Sequence, residues 1–363
     1  MQILEYMQGH GYEQLVACHD PSVGLKAFIA IYDTTLGPAL GGVRLWPYSN
    51  EEEALTDVLR LARALAYKCA VADLAFGGGK AAIIADQASK TEALIRAFAR
   101  FVDTLGGRFI VSEDIGTDTR DLERISWETR HVAGLTLGLG GSGDPAVITA
   151  LGVVMAMKSC AKAVWGSESL EGRRVAIQGF GKVGTHAAEQ LIKEGAKILA
   201  ADTDRCAVER ARDMGAEIVS PDDIYSIECE IFSPCALGGV LNSTTIPRLK
   251  AKVVAGGANN QLLSSSDGDV LHQRGIIYAP DYVASSAGCI ALHHEVYGNY
   301  HPRMVPEFAR RVGAIMDQVL HKSRTADIPT YRVADRIAEK RMRSVRQLRP
   351  IFRHTSRNGS RTV

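Results

Sequence analysis

A two-domain α/β fold is what this sequence predicts, and three observations predict it. Apolar runs of strand length alternate with helical periodicity along most of the 363 residues, the pattern of a mostly parallel sheet flanked by helices. A glycine-rich turn, Gly179-Phe-Gly181-Lys-Val-Gly184, separates a strand pattern from a helix pattern. The run Gly-Leu-Gly-Gly-Ser-Gly at 138–143 reads as a linker, and a chain of this length divides naturally into two units of roughly 150 residues. The expected division is 1–143, 144–320, and a helical return over 321–363.

The elements follow in chain order. Residues 25–32, LKAFIAIY, are rich in strand formers. Asn50 followed by Glu53 is a helix start, with acids in the first turn as the helix dipole prefers. Apolar residues then recur at Leu55, Val58, Leu59, Ala62, Leu65 and Ala66, a spacing that carries Tyr67-Lys68 to the helix end. A strand over 108–112 runs into Glu113-Asp114-Ile-Gly116. Beyond the linker come a helix over about 146–164, a strand over 174–178, a helix over 182–193 and a strand over 197–201 that ends at Asp202. Short apolar runs at 230–232, 252–255 and 275–279 add strands, and the chain after about Met304 is helical and folds back on the first domain. The glycine clusters at 41–42, 77–79, 238–239 and 256–257 read as loops close to a ligand.

Composition removes several classes. A hydrophobic share of 46% with 23% charged residues excludes wholesale disorder. The net charge of +1 excludes a chain-wide polycationic binder, but it hides an asymmetry. Eight basic residues and no acid follow from Lys340 onward, which leaves −7 on residues 1–339. That basic tail, with Phe352 its one aromatic residue, reads as a solvated, disordered extension rather than a nucleic-acid surface. Seven scattered cysteines without a CxxC argue against a disulfide framework and a zinc site. The start of the chain lacks the features of a signal peptide. The longest apolar stretch, 146–157, reads as a buried helix, too short to cross a membrane. A cytoplasmic protein with no membrane partner is expected.

The glycine turn carries the clearest chemistry. Gly179 makes the tight turn, Gly181 lets the backbone approach a pyrophosphate, and Gly184 lets helix pack on strand, with Phe180, Lys182 and Val183 between them. The helix that follows offers unpaired N–H groups to phosphate. Asp202, at the end of the next strand, suits ribose hydroxyls and repels a 2′-phosphate. This is the fingerprint of a Rossmann-like dinucleotide-binding domain, and it favours NAD, although Arg205 is placed to meet a 2′-phosphate. A P-loop at Gly77-Gly-Gly-Lys80 fails, because Leu74 and Ala81 occupy its glycine and hydroxyl positions.

The other domain must then present a substrate across a cleft. Lys68 and Lys80 both lie in apolar or glycine-rich surroundings, and a desolvated lysine can act as a base near neutrality. On the residues alone, surface lysines and a turn role for Asp114 are the commoner outcome.

A resemblance changes that balance. The blocks Thr35-Leu-Gly-Pro-Ala-Leu-Gly-Gly-Val-Arg44, Tyr67-Lys68, Gly77-Gly-Gly-Lys80, Glu113-Asp114-Ile-Gly-Thr117, Gly143-Asp-Pro145, Pro234-Cys-Ala-Leu-Gly-Gly239, Ala258-Asn-Asn-Gln-Leu262 and Tyr278-Ala-Pro-Asp-Tyr-Val283 stand in order from about Leu36 to Arg341. In these the chain resembles the glutamate/leucine/phenylalanine/valine dehydrogenase family, above all its leucine, phenylalanine and tryptophan dehydrogenase branch. The resemblance implies an N-terminal α/β substrate domain, and reversible oxidative deamination of an L-amino acid to a 2-oxo acid, ammonia and NADH. It also implies a homo-oligomer, dimeric or octameric. By motif, Lys68 would hold the substrate carboxylate and Lys80 would be the general base. Asp114 would exchange protons beside the cofactor, and Gly41 and Gly42 would bring amides to the carboxylate. Thr149 would meet the nicotinamide, and Ala236, Leu237 and Asn260 would line its ribose. Repulsion between the two lysines would ease deprotonation of Lys80. Leu40, Cys289 and Leu292 would line an apolar pocket, favouring a branched-chain or aromatic substrate.

The chain also departs from the family. After Asp281-Tyr-Val283 the family has Ile-Asn-Ala-Gly-Gly, whereas this chain has Ala284-Ser285-Ser286-Ala287-Gly288, with the spacing to Glu295 kept. Ser285 stands in place of a substrate-binding asparagine, a loss of about 1–3 kcal/mol if that hydrogen bond goes unmade. Ala287 replaces a glycine beside the cofactor, and Ala66 a common threonine. A member redirected to an unusual amino acid or imine, or a weak regulatory paralogue, is the alternative. His293-His294-Glu295 with His301 lacks the HExxH spacing and reads as a polar helix face, with no metal expected.

Overall fold

The computed structural model describes residues 2–348. Its first sheet has five strands in the order β1-β2-β4-β3-β5: β1 Gln14–Asp20, β2 Leu25–Asp33, β3 Ala39–Trp46, β4 Gly77–Ile84 and β5 Phe109–Glu113. β1, β2 and β4 pair antiparallel, while β3 runs parallel to both β4 and β5. Helices α1 Ile3–His10, α2 Glu51–Val71, α3 Glu92–Thr104 and α4 Thr119–Ser126 complete this part. α2 begins as its sequence dictates, with the Asn50 side chain accepting from the Glu53 amide.

Two glycine clusters expected in loops are strands instead. Gly41 and Gly42 lie in β3 and Gly77 to Gly79 in β4, all buried. The reason is packing: a Cβ on Gly78 would meet the Ala66 amide nitrogen at 2.2 Å, so the glycine lets α2 rest directly on the sheet.

The second sheet has six strands, all parallel, in the order β11-β10-β9-β6-β7-β8. They are β6 Arg174–Gln178, β7 Lys197–Ala201, β8 Glu217–Ile218, β9 Ile231–Pro234, β10 Val253–Val254 and β11 Ile277–Tyr278. The order reverses between β6 and β9, which opens a crevice at their carboxyl ends. Around it lie α5 Pro145–Trp165, α6 Lys182–Lys193, α7 Arg205–Asp213, α8 Ser265–Gln273, α9 Asp281–Ala284, α10 Ala287–Val296 and α11 Val305–Ala326. α5 stands where a helix over about 146–164 is expected; over its full length it is, among the described residues, the helix long and apolar enough to cross a bilayer, which the apolar run of 146–157 alone is not. The fold uses it as a core helix, packed against α6, α10 and α11.

Residues 142–144 lead from the first sheet's elements into α5, and residues 327–329 lead into a helix that reaches from the second part back to the first. The return helix, α12 Thr330–Arg346, lays Ala338 and Met342 against Tyr67 and Ala70 of α2. Position 320 falls inside α11. The basic tail divides here. Arg341 donates to the carbonyls of Cys69 and Ala70 at the end of α2 and pairs with Asp73 at 3.0 Å, and Arg346 pairs with Asp33. The tail residues Arg349, Arg353, Arg357 and Arg361 lie outside the described residues.

Candidate active site

A cleft of about 740 Å³ separates the two sheets, with Arg44, Asp57 and Asp114 on one wall and Val183, Ala236 and Asn260 on the other. Lys80 sits in β4 with its side chain almost wholly buried, and its Nζ lies 2.9 Å from Asp114 Oδ2. Asp114 follows β5 in a tight turn. Its amide donates to Thr117 Oγ1, which itself donates to the Val43 carbonyl. The turn requires Gly116 at φ +86°, because a Cβ there would meet the Leu45 carbonyl oxygen at 2.0 Å.

Burial lowers the Lys80 ammonium below the ordinary lysine range; Asp114 opposes this and Arg44 adds to it. Burial alone would raise the Asp114 carboxyl, but the Lys80 and Arg44 cations outweigh it and hold it well below the usual range. The cation acting on Lys80 is thus Arg44, rather than Lys68 as the sequence suggested. Lys68, buried in the last turn of α2, reaches across the cleft and donates to Asn259 Oδ1 at 3.0 Å.

Cys289 lies within electrostatic reach of both lysines. A hydrogen bond with Cys69 draws its thiol down, against the effect of burial, and Lys68 and Lys80 add to the shift. Leu40 and Leu292 are buried in the same apolar cluster. Thr149 lies where Gly288 leaves room, since a Cβ on that glycine would come within 2.6 Å of its Oγ1.

The two departures lie at the end of α9 and the start of α10. Ser285 is buried and its Oγ donates to the Asp281 carbonyl at 2.6 Å, so its hydroxyl is committed to its own helix. Ala287 opens α10 in helical register, and its methyl fills the space over Gly152 of α5. His293 is not on a polar face. Its ring packs against Phe76 and Tyr297, and burial lowers its pKa to about 4. Glu295 has a separate duty. Its Oε1 accepts from the amides of Gly134 and Leu135, and its Oε2 from the amide and hydroxyl of Ser142.

The glycine turn has the geometry its spacing predicts. Gly179 has φ +94° and lies against Ala236, and a Cβ on Gly184 would meet the Gly179 carbonyl oxygen at 2.1 Å. Gly181 faces open space and caps α6, the place where a phosphate can approach. Asp202 is held rigidly, accepting from the amides of Phe180 and Asp204. Arg205 is solvent-exposed, 3.6 Å from Glu209. Leu237 is exposed to the cleft, and Asn260, at φ +52°, donates its amide to Asp281.

Several polar residues at the site were given no role by the sequence reading: Arg44, Tyr48, Asp57, Asn259 and Asp281, and Glu113 and Asp144, which form a trio with Lys182. In that trio Lys182 Nζ lies 3.2 Å from Glu113 and 3.0 Å from Asp144, joining the glycine turn to the first sheet. Burial and Asp144 raise the Glu113 carboxyl to about 7, with Lys182 opposing. Arg44 stood in a quoted block, but its partners are distant in sequence and left no local signal.

Family models decide what this assembly is. Residues 12–131 match the "Glu/Leu/Phe/Val dehydrogenase, dimerisation domain", and residues 140–213 and 202–347 match the "Glutamate/Leucine/Phenylalanine/Valine dehydrogenase" model. The chain belongs to the Glu/Leu/Phe/Val dehydrogenase family. Among family members, it is 48% identical over 354 residues to a leucine dehydrogenase of Geobacillus stearothermophilus, covering 97% of this chain and 96% of the relative. It is 44% identical over 336 residues to a phenylalanine dehydrogenase of Lysinibacillus sphaericus, covering 91% and 88%. The solved L-tryptophan dehydrogenase from Nostoc punctiforme superposes with a TM-score of 0.76 at 39% identity, covering 95% of this chain and 100% of that one.

Proposed function

We propose that the protein oxidatively deaminates an apolar L-amino acid, reversibly, giving the 2-oxo acid, ammonia and reduced NAD. The observation that carries this reading is the buried Lys80–Asp114 pair facing the glycine turn across one cleft. The turn suits NAD: Gly181 leaves the phosphate approach open, and the fixed Asp202 carboxylate matches ribose hydroxyls. NAD, when bound, supplies the acceptor for the hydride of the substrate α-carbon.

The chain's own residues do the rest. Lys68 exchanges Asn259 for the substrate carboxylate and orients the α-carbon. Gly41 and Gly42 bring backbone close to the same carboxylate. Lys80, in its amine form, takes a proton from the water that attacks the substrate imine. Asp114 accepts and returns the proton of the departing amine. Leu40, Cys289 and Leu292 receive an apolar side chain and exclude water. Thr149, Ala236, Leu237 and Asn260 flank the nicotinamide end. Residues 1–143 serve as substrate and self-association domain and 144–320 as cofactor domain, in a homo-oligomer that forms through the first.

A second reading, a substrate outside the common amino acids, is favoured by one observation: Ser285 spends its proton on the Asp281 carbonyl, so it offers the substrate an acceptor alone where an asparagine offers both donor and acceptor. NADH formation with a panel of L-amino acids tests both. Turnover of leucine, valine or phenylalanine, lost by ~10²–10⁴-fold in Lys80→Ala, is expected. Retained NAD binding with no turnover of any common amino acid would sink the first reading.

A further inference from the structure

Asp114 presents one oxygen to two cations. Its Oδ2 lies 2.9 Å from Lys80 Nζ and 2.8 Å from Arg44 Nε. The other branch of the Arg44 guanidinium reaches Asp57 Oδ2 at 2.7 Å, and that oxygen also accepts the Tyr48 hydroxyl at 2.6 Å. Arg44 comes from β3, Asp57 from α2, Lys80 from β4, and Asp114 from the turn after β5. The planar fork thus ties β3 to α2 and to the turn, and the shared Asp114 oxygen extends the tie to β4. The arginine is mostly buried, at 13% side-chain exposure.

We propose that Arg44, held by Asp57 and Tyr48, is the positioning residue of the reaction: it fixes the Asp114 carboxylate against Lys80 and keeps a permanent positive charge beside that amine. The inference rests on the function proposed above. An arginine suits the task because its fork bonds two carboxylates at once and it never gives up its charge. A lysine at the same place keeps the charge but offers one compact ammonium in place of two fixed branches, so it cannot hold both carboxylates in the same planar alignment. The charge has a clear direction of effect. The ionisable groups around Lys80 are Asp114, Arg44, Asp57 and, from α10, Cys289. Asp114 and Asp57 stabilise its ammonium form and Arg44 opposes them. Without Arg44, Asp114 would hold Lys80 protonated, and the base would be available only at higher pH.

The test uses the full chain and the variants Arg44→Gln and Arg44→Lys. Two readouts are taken: the pH profile of kcat/KM with the best amino acid, and the titration of Lys80 followed by NMR in protein labelled at the lysine ε-carbon, without substrate. In Arg44→Gln the acid limb and the Lys80 titration both move up by about one pH unit. In that variant kcat falls ~10–100-fold while KM changes little, the pattern of a misplaced catalytic group. In Arg44→Lys the limb stays near its original pH, yet kcat remains depressed by ~10-fold, because the fork is lost. If Arg44→Gln does not fold, Arg44→Lys decides the positioning role. An Arg44→Lys enzyme equal to wild type overturns the inference, as does an unmoved Lys80 titration in folded Arg44→Gln. A wild-type protein inactive on every amino acid overturns the reaction itself and the positioning role with it, so the two failures are distinguishable.

Discussion

The carboxylate of Glu295 holds the crossing between the two parts of the molecule, and removing it gives the most direct test of the architecture. It accepts from Gly134 at 2.8 Å, Leu135 at 3.2 Å, the Ser142 amide at 2.8 Å and the Ser142 hydroxyl at 2.7 Å. Gly134 and Ser142 are buried, whereas Leu135 is half-buried. In Glu295→Ala, water can reach the Leu135 amide and the Ser142 hydroxyl can turn, but two buried amides lose their partner. At about 1–3 kcal/mol for each orphaned buried donor, the cost is about 4 kcal/mol. Glu295→Gln keeps an acceptor for Gly134 and Leu135 but sets an NH₂ group against the Ser142 amide, so about 1–2 kcal/mol is lost. Hydrogen exchange at Gly134, Leu135 and Ser142 reads this locally. Exchange there is expected to quicken by ~100-fold or more in Glu295→Ala and by about tenfold in Glu295→Gln. Unchanged protection in folded Glu295→Ala would refute the reasoning, since it would mean the linker amides are satisfied without the carboxylate.

Three further outcomes are expected. Glu113 titrates near 7 in the fold and lower in the unfolded chain, so the folded state binds the extra proton between about pH 4.5 and 7 and stability declines as pH rises through that window, by ~3 kcal/mol in all; denaturation across this range should show that slope, with Glu113→Gln flattening it. Asp202→Ser removes the anion that repels a 2′-phosphate, so the ratio of kcat/KM for NAD over NADP should fall by ~10-fold or more, whereas an unchanged ratio would remove Asp202 from cofactor selection. Ser285→Ala should leave KM for the amino acid within about twofold of wild type, since the hydroxyl bonds Asp281; a tenfold rise would mean the serine reaches substrate.

How much of this was legible in the sequence follows from distance along the chain. The helix from Asn50, the helix over 182–193 and the strands around the glycine turn carry their signals locally, in caps, periodicity and φ-permissive residues, and they stand where expected. β3 and β4 were hidden because glycine is a poor strand former, and nothing local says that a helix will press on it. The site divides in the same way. Motif resemblance pointed to Lys80 and Asp114, but Arg44 meets Asp114 across 70 residues of chain, and Lys68 meets Asn259 across 191. Such pairings exist only once the sheets are built. The Ser285 hydroxyl turns back to its own helix, a rotamer choice that composition cannot express.

The two passages of the chain between the sheets are each held on both sides. Gly143 at φ +75° and Asp327 at φ +50° both turn through left-handed backbone, one at each passage. Just ahead of the first, the Glu295 carboxylate of α10 gathers the amides of Gly134, Leu135 and Ser142. After the second, Thr330 donates to the Tyr278 carbonyl and the Tyr282 hydroxyl to Asp335, so α12 rests on the second part with its first turns and on α2 with its last. The cleft is therefore bounded by two separate joins, and Asp114 and Val183 face each other across it between them.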